Sequence, residues 1–304
     1  MRASFFRSLF ARLLLVSTTI GSLATVASAV ADKRFDITTF NCTPEGSPDH
    51  FCEPQFDSLN WKTTNGHFLA MGTDNRRADV NGQGNFLAAY YNDLTGLYGS
   101  TTGAQAADQI EQYVLTNFTN TGVKTKWVIL NEISAGLWPD SADYRAWLRT
   151  LVARLNNVYL HEVILFSPFG NPGANGADWV PLSNNCYIAI EKYLSGAAIN
   201  ASGNSVEWCR QQYQASKNAY IALGVASSRL YLAEHFGQTV AGTAWGRSGV
   251  SATGWHNAIR ARADAAKIVG FTGFVGYAWG KNGMGVPEVE MVSFQETYKS
   301  KVLP

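Results

Sequence analysis

From about Thr125 onward the chain alternates short apolar runs with stretches whose apolar residues recur at helical spacing. Lys126 to Glu132 reads as a strand. It is followed by a helix carrying Tyr144, Trp147, Leu148, Leu151, Val152 and Leu155 on one face, with Ser141 as its N-cap. Further strands are predicted at His161–Ser167, Tyr187–Tyr193, Arg229–His235 and Phe271–Trp279. Between them lie a helix with Val206, Cys209, Tyr213 and Tyr220 on one face and another with Trp255, Ile259, Ala263, Ala266 and Val269. A closing helix spans Met291 to Lys301.

Upstream, Phe35 to Phe40 is a first strand, and a helix bearing Ala107, Ile110, Val114 and Phe118 precedes the Trp127 strand. Two more strands fall within His67–Gly72 and Phe86–Tyr91, joined by a link short for a full strand–helix unit. Apolar strands alternating with amphipathic helices predict a parallel sheet enclosed by helices. Eight of them predict an α/β fold of the (β/α)8 TIM barrel type in a single domain. An open doubly wound sheet is the alternative, but no Gly-rich phosphate loop follows the first strand.

The first 29 residues fit an export signal. Arg2, Arg7 and Arg12 form a basic region, Leu13 to Val26 is apolar, and Ala27-Ser28-Ala29 is a small-residue cleavage site. The expectation is a secreted or periplasmic protein whose catalytic domain runs from residue 30 to 304. The formal net charge of +1 becomes slightly negative without those arginines, and no basic patch suggests nucleic acid or an anionic membrane as partner. Nine Trp and thirteen Tyr on a weakly charged chain suit an aromatic-lined groove for an oligo- or polysaccharide. After export an even cysteine count favours disulfides, with Cys42–Cys52 and Cys186–Cys209 the first pairing among three. No CxxC or HxxxH spacing supports zinc, and no cofactor or metal is expected.

In such a barrel the functional side chains sit at the C-terminal strand ends. Glu132 ends the fourth strand, Glu234 the seventh, and Glu191 lies near the end of the sixth. Glu132 and Glu234 are 102 positions apart, close to three units of roughly 31 residues in a barrel of about 250. Counting strands back from the chain end thus places them across one mouth. Opposed carboxyls are what glycosidic cleavage requires: one protonates the leaving oxygen while the other attacks, or directs water at, the anomeric carbon.

Asn131-Glu132 at the end of strand four, with Glu234 at the end of strand seven, resembles clan A of the retaining glycoside hydrolases. The resemblance implies Glu132 as acid/base and Glu234 as nucleophile, with Asn131 hydrogen-bonded to the 2-hydroxyl of the reacting sugar. It also implies Tyr193 as the tyrosine that orients the nucleophile and Trp279 as the aromatic floor. The pattern departs from the clan at Glu191, where a His is common, and the clan's early Arg is matched only by Arg76 or Arg77.

Glu191 is therefore a substrate-binding residue or an alternative catalytic carboxyl, and His235 a pocket residue. Trp61, Trp138 and Trp245 are candidate sugar platforms, and Asn41, Asn117 and Asn200 begin N-x-[ST] sequons. Three other functions fit the pattern less well. They are an inverting glycosidase, a metal-dependent hydrolase or lyase using His67, His161 and His235, and a carbohydrate-binding barrel that has lost catalysis.

Overall fold

The computed structural model describes residues 36–42, 68–72, 87–117, 119–120, 123–173, 175–235 and 251–277. Eight parallel strands close into a barrel. They are β1 (Asp36–Cys42), β2 (Phe68–Gly72), β3 (Leu87–Tyr91), β4 (Trp127–Leu130), β5 (Glu162–Ser167), β6 (Tyr187–Glu191), β7 (Leu230–His235) and β8 (Gly273–Tyr277). Each strand pairs with its sequence neighbours, and β8 closes on β1, with Asp36 in register with Gly273. Each expected strand from the fourth to the eighth is present, as are strands in both upstream windows.

Closure follows from the two faces of the strands. Val128, Leu130, Val163, Leu165, Ile188, Ile190, Leu230 and Leu232 pack outward against helices, whereas Trp127, Ile129, Ile164, Phe166, Ala189, Tyr231, Ala233 and Val275 fill the lumen. Burial on both faces is why these runs are almost continuously apolar. At the N-terminal end the lumen holds a stack of aromatic rings. Trp127 lies 6.0 Å from Tyr187, and Tyr187 lies 5.0 Å from Tyr231. The Tyr231 ring lies directly over Gly273, where a Cβ would collide with it. Above this floor Ala189 and Ala233 share the lumen with Phe166 and Val275.

The surrounding helices are α1 (Leu94–Ser100), α2 (Gly103–Asn117), α3 (Leu137–Asp140), α4 (Ala142–Asn157), α5 (Gly176–Ser183), α6 (Gly196–Ala201), α7 (Val206–Ala222) and α8 (Ala252–Val269). Ser141, Ser195, Ser205 and Ser251 each accept an N–H from the first turn of α4, α6, α7 and α8 respectively, the expected use of a hydroxyl at an N-cap. Gly270 ends α8 at φ 73°, a left-handed position that glycine adopts without strain. The buried Lys217 of α7 donates to the terminal carbonyls of Val269 and Gly270 at 3.1 and 2.5 Å, so one ammonium caps the helix beside it. The short helices α1, α3, α5 and α6, and a two-residue antiparallel pair, Thr119–Asn120 with Val123–Lys124, were not expected from the sequence. Among the described residues no helix is long and apolar enough to cross a membrane.

The Cys186–Cys209 pairing is corrected: both are buried free thiols. Cys186 immediately precedes β6, at the floor of the barrel. Cys209 lies in the first turn of α7, within electrostatic range of Arg262 and Glu234 at the other end. A five-residue strand spans roughly 17 Å, and a disulfide needs Cα atoms within about 7 Å. Local spacing suggested a bridge that the length of β6 prevents. The Cys42–Cys52 pairing, the signal segment, Arg76, Arg77, Trp61, Trp245, Trp279 and the closing helix lie outside the described residues.

Candidate active site

The strand ends determine which carboxyls face the lumen. Along β6, Tyr187 and Ala189 belong to the lumen set, and Glu191 is the next residue on that face. Along β7, Tyr231 and Ala233 are the lumen residues, so Glu234 shares the helix-facing side with Leu230 and Leu232. The register agrees, with Glu191 opposite Ala233 and Glu234 opposite Gly276.

Glu132 lies two residues past β4 and is exposed. The chain around it still follows the barrel wall: the Asn131 N–H donates to the Tyr91 carbonyl at 2.8 Å and the Ile133 N–H to the Phe166 carbonyl at 2.9 Å. From this position Glu132 is hydrogen-bonded to Glu191, two strands away. The Tyr193 hydroxyl donates to Oε1 of Glu191 at 3.0 Å.

Burial first, and then the charge of Glu132, push the Glu191 carboxyl up from its ordinary value of 4.5 to about 8. Tyr193 opposes that rise and the shared hydrogen bond adds to it. Glu191 therefore carries a proton at neutral pH and is the donor in the pair. A half-buried acid kept protonated at a barrel mouth is a general-acid arrangement.

Glu234 has different partners. It is wholly buried, and its carboxylate accepts the Tyr213 hydroxyl at 2.5 Å and the Leu194 N–H at 3.1 Å to each oxygen. Arg262, also wholly buried, places Nε 3.9 Å from Oε1 of Glu234 and donates through Nη2 to the Leu194 carbonyl. The cluster lies between the barrel wall and helices α7 and α8. The structure thus brings Glu132 together with Glu191 and Tyr193, while Glu234 is gripped by Leu194, Tyr213 and Arg262. Sequence reasoning saw Tyr213 only as a helix-face residue and missed Leu194 and Arg262. Their partners are 21 to 68 positions distant, with no local pattern to reveal them.

Other expected residues fall as follows. His235 ends β7, in register with Tyr277. Trp138 is buried against Trp179, ring centroids 4.4 Å apart, so it is core rather than a sugar platform. His161 precedes β5 at the floor, with Nε2 2.6 Å from Glu111 Oε2, and is thus a strand length away from the mouth. Among the described residues no cluster of His, Cys, Asp or Glu is arranged to hold a metal ion.

No protein-family model matches the chain, and no curated protein matches it by sequence. Solved structures do resemble it. An endo-β-N-acetylglucosaminidase from Cordyceps militaris matches with a TM-score of 0.52 and 14% identity over 88% of this chain and 81% of its own. A GH5-4 broad-specificity endoglucanase from an uncultured bacterium matches with a TM-score of 0.50 and 10% identity over 88% and 94%. The C-terminal domain of a candidate chitinase from Desulfitobacterium hafniense DCB-2 gives 0.57 and 10% over 88% and 99%. At these identities the likeness is one of fold, a TIM barrel in each comparison.

Proposed function

We propose that the chain is a glycoside hydrolase acting on a β-linked neutral glycan, with Glu191 as proton donor and Glu132 as its carboxylate partner. The observation that carries this reading is the Glu132–Glu191 hydrogen bond at the C-terminal mouth, where Glu191 keeps its proton at neutral pH. The barrels it resembles are named as an endo-β-N-acetylglucosaminidase and an endoglucanase, which supports a glycan as the substrate class. The leader-like first 29 residues fit an activity exercised after export.

In this mechanism Glu191 gives its proton to the glycosidic oxygen as the bond breaks, while a Glu132 oxygen attacks the anomeric carbon and forms a glycosyl ester. Water then attacks that carbon, its proton passes to the Glu191 carboxylate, and Glu132 departs as carboxylate, with net retention. The retaining route is proposed because it works with carboxyls close together, about 5–5.5 Å apart, whereas inversion needs about 6.5–9.5 Å for an intervening water. Asn131 is proposed to hydrogen-bond the reacting sugar, Tyr193 holds Glu191, and His235 and Trp279 are proposed to contact the substrate.

A second reading keeps Glu234 as nucleophile with Glu132 as acid/base, as the clan resemblance implies. In its favour, Glu234 is the penultimate residue of β7, accepts hydrogen bonds from Leu194 and Tyr213, and has Arg262 3.9 Å away, in the manner of an oriented anion. Against it stand its complete burial and its helix-facing register.

The test is a panel of β-glycans assayed for new reducing ends, with the anomeric form of the product read by NMR. Hydrolysis with retention, abolished in Glu132→Gln and Glu191→Gln, is the expected result. Hydrolysis that survives both substitutions overturns the reading.

A further inference from the structure

The chain immediately after Glu191 is fixed at three successive points, all on β7 or α8. The Lys192 N–H donates to the Ala233 carbonyl at 3.2 Å, extending the ladder past the end of the strand. Two residues on, the Leu194 N–H meets both oxygens of Glu234, and the Leu194 carbonyl receives the Arg262 guanidinium. Both polar groups of one peptide-linked residue are thus held by a buried acid and a buried base, themselves 3.9 Å apart. Tyr213 donates to the same acid from α7. Between the anchors lies Tyr193, whose side chain reaches back to Glu191.

A buried ion pair is a costly way to hold a loop, since both charges lose their water. We propose that Glu234 and Arg262 form a positioning clamp on Leu194 that sets the segment carrying Tyr193 and thereby fixes the Glu191 carboxyl beneath Glu132. This deepens the reading in which Glu191 is the proton donor and rests on it. Glu234 then acts through Glu191 without touching the sugar, in contrast to the nucleophile role.

The clamp is testable without any substrate. With 13C-labelled glutamate in the full chain, the Glu191 carboxyl signal, assigned by its loss in Glu191→Gln, is titrated by NMR. Release of the clamp lets water reach Glu191 and lengthens its contact with Glu132, so its titration moves down toward the ordinary carboxylate range.

A fall of about one pH unit or more is expected in Glu234→Gln, with a smaller fall in Tyr213→Phe, which removes one hydroxyl and keeps the ring. Glu207→Gln, which breaks an exposed ion pair on the same helix, is expected to leave the titration unchanged. Should Glu234→Gln fail to fold, Tyr213→Phe decides alone. An unchanged Glu191 titration in the folded variants overturns the clamp, and so does an equal shift in Glu207→Gln.

Turnover separates this from the wider reading. If Glu191→Gln hydrolyses glycans normally, the proton-donor assignment fails whatever the titrations show. If Glu234→Ala is inactive and azide restores turnover with inverted product, Glu234 is the nucleophile and the clamp is overturned.

Discussion

Glu191 of β6 donates a hydrogen bond to Glu132, which follows β4, so two carboxyls from alternate strands share one proton at the mouth of the barrel. This contact has a cost that pH controls. In the unfolded chain Glu191 titrates near 4.5, and in the fold it holds its proton to about 8. The folded state therefore binds the extra proton between those values. Its contribution is fully present below about pH 4.5 and is lost as pH rises through 8. Thermal unfolding of the wild type is expected to show stability falling across this window more steeply than in Glu191→Gln. Parallel curves would count against the raised titration.

Gly273 lies under the ring of Tyr231. Gly273→Ala forces the ring, or the strand, to move, and overpacking of this kind costs about 1–3 kcal/mol. Denaturant unfolding is expected to show that loss, largely relieved by adding Tyr231→Leu. A neutral Gly273→Ala would contradict the stacked floor.

Lys217 caps α8 from α7 by donating to the carbonyls of Val269 and Gly270. Lys217→Met leaves those buried acceptors unmatched, at about 1–3 kcal/mol for the loss. The same measurement on Lys217→Arg, whose longer fork does not fit the gap, is expected to show little recovery.

The free thiols of Cys186 and Cys209 predict a simple peptide result. Alkylation of the unfolded protein without reductant should label both positions. A peptide linking Cys186 to Cys209 would show that the ends of β6 are not where the fold puts them.

Much of the barrel was legible because each strand from the fourth to the eighth is an apolar run bounded by polar residues, and the helices between them repeat at helical spacing. Leu230-Tyr231-Leu232-Ala233-Glu234 shows where strand-end counting was insufficient. Position at the end of a strand says that a residue is near the mouth, but alternation decides the face. The large leucines mark the helix side and the small Ala233 the lumen side, so Glu234 falls with the leucines. The same alternation in Tyr187-Ile188-Ala189-Ile190-Glu191 puts Glu191 in the lumen set. Arg262 gave no such signal, for its helix face reads as alanine-rich packing, and its partners Leu194 and Glu234 are brought to it only by barrel closure. The disulfide was misjudged for the converse reason: nearness in sequence says little once a whole strand separates two positions.

The direct test of the central claim is the turnover of Glu191→Gln and Glu234→Gln, measured side by side on the glycan that the wild type hydrolyses best. Loss of a general acid costs about 10²–10⁴-fold, so Glu191→Gln is expected to fall by that factor. Glu234→Gln, which loosens the clamp but keeps both reacting carboxyls, is expected to lose less, about tenfold. The reverse order, with Glu234→Gln inactive and Glu191→Gln near normal, would contradict the pairing of Glu191 with Glu132 as the catalytic carboxyls.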